Sequence, residues 1–156
     1  MARITEVTLK QTPAHYMVTM RKNIDFMAEY STFAEETLAK TGALLTQNGL
    51  FPISGPVVCF HNTDLTALDV EMGWQVVTPI ETTNHDGIIC QPVPTQIIAA
   101  AIDLGPYEEQ DPTLMDLLSW VQDHGYEMQG PIYYCYLNDT NRPESELLTQ
   151  MFVPVK

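Results

Sequence analysis

Gly130-Pro131-Ile132-Tyr133-Tyr134-Cys135-Tyr136-Leu137-Asn138 is the stretch on which the reading of this chain turns. Gly-Pro is turn chemistry, and the aromatic and β-branched run behind it has the composition of a short strand. A stretch of the same form, Gly55-Pro56-Val57-Val58-Cys59-Phe60-His61-Asn62, stands 75 residues earlier. Further landmarks then recur in the same order on both sides. Pro13 in KQTPAHYMVTM matches Pro94 in QPVPTQIIAAA, and Gly49 in QNGLF matches Gly125 in DHGYE. Thr78-Pro79-Ile80 matches Val153-Pro154-Val155 at the same offset of 75, whereas the two prolines lie 81 apart. The chain is therefore a duplication whose second copy is shorter in its middle, helical part.

Each copy reads as one helix among strands. Tyr16, Val18 and Met20 alternate with Met17, Thr19 and Arg21, the period of a strand. From about Asp25 to Asn48 the period becomes helical, with Phe26, Tyr30, Phe33, Leu38, Leu44 and Leu45 largely on one stripe and Gly49 as the stop. Gly42 is the weak point of that stripe. GPVVCFHN and WQVVTPI are the closing strands of the first copy. The second copy offers TQIIAAAIDL as a strand, then a helix with Asp111 as N-cap, Pro112 at the first helical position and Gly125 at the stop. Leu114, Leu117, Leu118 and Val121 form its apolar face, and GPIYYCYLN and LTQMFVPV close the unit. The predicted fold class is α+β: two β-α-β-β halves, about 1–83 and 87–156, in one domain, joined through Asn84-His85-Asp86-Gly87. Seams between repeats are favoured ligand sites.

Seven Lys plus Arg against twenty Asp plus Glu give a formal net charge of −13, while 45% of residues are hydrophobic. The apolar share supplies a core, so the chain is no acidic disordered tail. The charge argues against direct contact with nucleic acid, which needs clustered basic residues to displace phosphate counterions. It argues equally against an anionic membrane surface, and it favours cations or a basic protein partner. No apolar run approaches a transmembrane length, and MARITEVTLK lacks a secretory pattern, so a cytoplasmic location is expected. Cys59, Cys90 and Cys135 form no CxxC pair, and the four histidines show no metal-ligand spacing along the chain. The expectation is reduced, mostly buried thiols with no metal and no cofactor. GxGxxG, Walker, HExxH and GxSxG motifs are all missing from the sequence.

Over nearly its whole length the sequence resembles the GyrI-like effector-binding domains of gyrase-inhibitory proteins and multidrug-responsive transcription regulators. The carriers are LDVEMGWQVVTPI (68–80), IDLGPYEE (102–109), LLSWVQDHGYEMQGPIYYCYLND (117–139) and ELLTQMFVPVK (146–156). The resemblance implies two pseudo-symmetric halves around an antiparallel sheet with two long helices, and a central cleft that takes aromatic, often cationic, ligands. Family members commonly place a Glu after Gly-Pro in a Tyr-Glu-x-Tyr setting. Here the Glu position is Tyr134, which replaces a charge-neutralising carboxylate with a phenol. Gln75 stands where many relatives have Pro. Because the resemblance begins within the first ten residues, the helix-turn-helix module of the regulator relatives is not expected ahead of it.

The candidate ligand-binding residues are Phe26, Phe33, Trp74, Tyr107, Trp120, Tyr134 and Phe152. Each reads either as cleft lining or as ordinary packing: Tyr134 against its cross-strand neighbours, Trp74 in a strand core, Trp120 at the flank of its helix stripe. Tyr107, after Gly105-Pro106, aligns with Phe26 of the first copy. Two functional classes follow. The leading one is a stand-alone protein that binds an aromatic, largely apolar drug or toxin without turning it over. The alternative, implied by the resemblance, is a hydrolase that opens strained, cyclopropane-bearing electrophiles. In that case Glu71 and Tyr134 are the catalytic candidates, with Trp74 as the platform. A protein partner attracted by the acidic surface is a third possibility. Because a buried contact is screened far less than surface charge, Tyr134 argues for neutral aromatic ligands despite the net charge.

Overall fold

The computed structural model describes residues 2–156. In chain order its elements are β1 (Ala2–Arg3), β2 (Thr8–Thr12), β3 (His15–Ile24), α1 (Phe26–Gln47), β4 (Val57–Phe60), β5 (Leu68–Val76), β6 (Ile89–Val93), β7 (Gln96–Leu104), α2 (Asp111–Asp123), β8 (Ile132–Tyr136) and β9 (Leu148–Pro154). The fold is α+β, and every strand pairing within the two units described below is antiparallel.

Two compact units divide the chain, one made of residues 14–94 and the other of residues up to Pro13 together with 95–156. In the first, the strand order is β4-β5-β3-β6. In the second it is β8-β9-β7, with β2 and β1 both alongside β7. The predicted β-α-β-β repeat is visible as β3-α1-β4-β5 and β7-α2-β8-β9. Each repeat also gains one edge strand, and the donor is unexpected. β2 precedes β3 in sequence but pairs with β7, while β6 precedes β7 but pairs with β3. The unit boundaries thus fall at Pro13 and Pro94, the two matched landmarks. Asn84–Gly87 is a turn inside the first unit, closed by Ile88 N–H donating to the His85 carbonyl at 3.2 Å, with Gly87 at φ +80°.

Both helices end in the same way. Past α1, Gly49 N–H donates to the Thr46 carbonyl and Leu50 N–H to the Leu45 carbonyl. Past α2, Gly125 N–H donates to Gln122 and Tyr126 N–H to Val121. These paired bonds satisfy carbonyls that the helix leaves open, and they need a left-handed residue, supplied by Gly49 at φ +67° and Gly125 at φ +76°. α1 starts at Phe26 with Asp25 as its cap, within a residue of where the helical period begins. α2 starts one residue earlier than its sequence suggests: Asp111 is its first helical residue and Gln110 the cap. The Gln110 side chain is engaged elsewhere, donating to Thr149 Oγ1 at 2.8 Å.

β5 is also placed differently from its sequence pattern. It covers Leu68–Val76, nine residues in register with β3, rather than beginning at Trp74 and running on through Ile80. Pairing ends before Val77, which is exposed. The alternation of β5 then sorts its side chains. Trp74 and Val76 lie on the α1 face, in a core with Val18, Leu44, Leu45, Ile80 and Ile88. Odd-numbered residues, Glu71 among them, lie on the opposite face. In the other unit α2 packs Leu117 and Val121 onto Ala99, Ala101, Met151 and Val153. Ile98, Ala100, Cys135 and Phe152 pack together in a separate cluster, with Tyr133 against it.

Candidate functional site

The end of α1 and the face of β5 make an apolar pocket in the unit of residues 14–94. Its volume is about 280 Å³, and it is lined by Gly42, Leu45, Thr46, Gly49, Leu50, Phe51, Pro52 and Trp74. The helix stop described above supplies Leu45, Thr46, Gly49 and Leu50. The loop behind it is tied to β5 by Ile53 N–H donating to the Gln75 carbonyl at 2.8 Å. That tie holds Phe51 at the pocket with 88% of its surface exposed. Trp74 lies across Gly42: a methyl group added there would sit 3.6 Å from the indole Nε1. The weak point in the helix stripe is therefore the place where the indole is received. That Nε1 is buried and makes no hydrogen bond, at a cost that a buried donor normally avoids. No lining residue is ionisable.

The corresponding helix end of the other unit is occupied by its own rings. Trp120 is stacked with His124 at 4.1 Å between ring centroids and with Tyr126 at 5.8 Å. Its neighbourhood, with Arg3, Glu6, Asp116, Ser119 and Asp123, is polar. The other candidates of that unit are distributed over several surfaces. Tyr134 stands opposite Met151 and packs against the core under α2. Phe152 is buried and stacks on Tyr133 at 4.9 Å. Tyr107, on a short 3-10 turn, meets Tyr136 at 5.0 Å. In the first unit Phe26 begins α1 and meets Tyr30 at 4.8 Å, while Phe33 is buried on the same helix. Of the predicted ligand residues, Trp74 lines the apolar pocket.

Glu71 has partners that its sequence position did not announce. It is 7% exposed. Its Oε2 accepts from the Thr19 hydroxyl at 2.5 Å, and its Oε1 lies 2.8 Å from His61 Nε2. Cys59 Sγ lies 3.4 Å from the same nitrogen. Cys59 is directly opposite Glu71 in the β4/β5 register, and two residues further along an extended chain His61 returns to the same face. His61 is held there by its N–H donating to the Asp69 carbonyl at 2.9 Å. Beside this group Arg21 is gripped by both Asp69 oxygens, at 2.8 and 2.7 Å. That hydrogen bonding holds the Asp69 carboxyl below its ordinary range and raises the Arg21 guanidinium. A count of residues between His, Cys and Glu cannot find such a group, because sheet register assembles it. A Cys-x-His pair on a strand was the available signal. Glu71 and Trp74, paired in the hydrolase reading, lie on opposite faces of β5.

Cys59, Cys90 and Cys135 are thiols outside any disulfide, and no helix among the described residues is long and apolar enough to cross a membrane. Several solved structures share the fold. The EcmrR C-terminal domain aligns with a TM-score of 0.81 at 20% identity, covering 98% of each chain. In the cryo-EM structure of the EcmrR–DNA complex the TM-score is again 0.81, at 21% identity, and this chain spans 57% of the EcmrR chain. A hydrolase encoded by lin2189 from Listeria innocua aligns with a TM-score of 0.69 at 12% identity, covering 99% of this chain and 94% of that one. SAV2435, solved bound to tetraphenylphosphonium, aligns at 0.65 and 12%, covering 97% and 94%. No curated protein matches the sequence. The description of the GyrI-like small molecule binding domain matches residues 5–156, and the chain belongs to that family.

Proposed function

We propose that this domain binds a neutral, aromatic, largely apolar small molecule, and that the pocket at the end of α1 receives its ring. The observation that carries the reading is the lining: an indole, a phenyl ring, two leucines, a proline, two glycines and one threonine, Thr46, around about 280 Å³, with no ionisable group. A lipophilic cation leaves its charge uncompensated in such a place, whereas a neutral ring gives up only apolar hydration. The 88% exposed Phe51 supplies a face for a ligand to cover. The buried indole N–H of Trp74 has a donor to offer a ligand acceptor if the ring shifts on binding. SAV2435 with its phosphonium is the contrasting case in the same fold. At 12% identity that likeness carries fold and not ligand chemistry.

The test is titration with a matched pair of neutral and cationic aromatic dyes, read by quenching of tryptophan fluorescence in a Trp120→Phe background. The neutral dye is expected to bind at least tenfold more tightly, and Gly42→Leu, which fills the pocket, to weaken it at least tenfold. Tighter binding of the cation, or a dye affinity indifferent to Gly42→Leu, overturns the proposal. A second reading is hydrolysis of a strained electrophile, with Glu71 as proton acceptor, supported by the buried carboxylate beside His61. Mass analysis of the recovered compound separates the two: binding returns it unchanged, and hydrolysis returns it with one water added.

A further inference from the structure

We propose that Cys59, His61 and Glu71 form a binding site for a divalent transition-metal ion, zinc(II) in the first place, independent of the aromatic pocket and on the opposite face of β5. The three donor atoms, Cys59 Sγ, His61 Nε2 and a Glu71 carboxylate oxygen, all lie within 4.8 Å of one another. Zinc bonds to sulfur at about 2.3 Å and to nitrogen and oxygen at about 2.0–2.2 Å, which makes the edges of a tetrahedral site roughly 3.3–3.6 Å. The Cys59–His61 separation of 3.4 Å is already such an edge. The His61–Glu71 separation of 2.8 Å opens to one by a small rotation of a carboxylate.

The way the three groups meet favours a metal over a nucleophilic triad. A thiol, imidazole and carboxylate in relay use the two different ring nitrogens, one for each partner. Here sulfur and carboxylate both face Nε2. One proton on that nitrogen serves two acceptors poorly, whereas one cation at the common centre serves all three donors. A thiolate, an imidazole and a carboxylate are also a donor set that zinc accepts readily.

The site is built and not loose. Cys59 and Glu71 are both buried. The second Glu71 oxygen is fixed by the Thr19 hydroxyl at 2.5 Å, the outer contact that orients a ligating carboxylate. The β4/β5 ladder fixes Cys59 against Glu71, and the His61–Asp69 backbone bond fixes the third ligand. Arg21, opposite Glu71 in the β3/β5 register, is hydrogen-bonded to both Asp69 oxygens. Three protein ligands leave a fourth coordination position for water or another small donor.

The experiment is cobalt(II) titration of the whole chain, watched for a near-ultraviolet thiolate-to-cobalt band and visible tetrahedral bands, followed by zinc displacement. One equivalent is expected to give both bands, and zinc to abolish them. Cys59→Ser should remove the near-ultraviolet band, and it and His61→Gln should each weaken binding at least tenfold. Thr19→Val, which leaves all three ligands in place, should weaken binding about tenfold while keeping the band. Cys90→Ser and Cys135→Ser should change nothing. Circular dichroism checks the fold of each variant. Absence of the thiolate band in the unaltered protein overturns the proposal whatever the variants do, and so does its survival in Cys59→Ser or its loss in Cys90→Ser.

Discussion

Gly73 stands where two strands leave no room for a side chain. A methyl group at this position would lie 2.0 Å from the Val18 carbonyl oxygen and 2.9 Å from the Thr19 Cα, both backbone atoms that cannot swing away. Gly73→Ala is therefore expected to destabilise the protein by about 3 kcal/mol or more, in the upper tail for single substitutions. Urea unfolding measures it, and a loss under about 0.5 kcal/mol would show that β3 and β5 part at little cost. Gly42 is the useful contrast, because its added methyl would meet Trp74 at an ordinary 3.6 Å. At this scale the sequence was half legible. Trp74 stood out by type and does line a pocket. Glu71 stood out as well, but its partners Thr19, His61 and Cys59 are known only once three strands are in register. Gln110 shows the limit from the other side: its local pattern gave the cap to Asp111, and a bond to distant Thr149 decided otherwise.

The two helices share an ending but not a beginning. Asp25 accepts the Ala28 N–H at 3.1 Å, and Glu29 accepts the Asp25 N–H at 2.7 Å, so α1 has two of its open donors satisfied reciprocally. α2 has no such side-chain cap. Its first turn is tied instead to the sheet by Thr113 donating to the buried Asp103 carboxylate at 2.6 Å. Asp25→Ala should accordingly cost about 1 kcal/mol, seen as a fall of about 2–4 °C in Tm for a chain of this size. An unchanged Tm would mean that packing of Phe33, Leu44 and Leu45 alone holds the helix. Elements of this kind were the most legible level. Strand alternation, helical period and the two stop glycines are local signals, and each follows from backbone geometry. The extent of β5 was not local: it is set by its nine-residue pairing with β3, so WQVVTPI looked like a strand and mostly is not.

At the scale of the whole molecule, the duplication was readable from landmarks alone, yet the division of the chain was not. The repeat suggested halves meeting near residue 84, whereas each compact unit is finished by a strand that the sequence assigns to the other repeat. Composition cannot reveal this, because β2 and β6 are five-residue edge strands and nothing local in either says which strand it will pair with. A chain cut after Thr83 makes the point measurable. Residues 1–83 carry β2 without β7, and residues 84–156 carry β7 without β2. Each fragment alone is expected to be insoluble or unfolded, and the two expressed together to assemble into a one-to-one complex with native circular dichroism. Independent folding of either fragment would contradict the expectation. The topology is that of a domain-swapped dimer whose two chains have been joined end to end. A single repeat made as a separate polypeptide would carry a leading strand with no place in its own sheet and an edge waiting for the same strand from elsewhere. Its simplest closed form is a symmetric pair, and the covalent link makes that pairing independent of concentration.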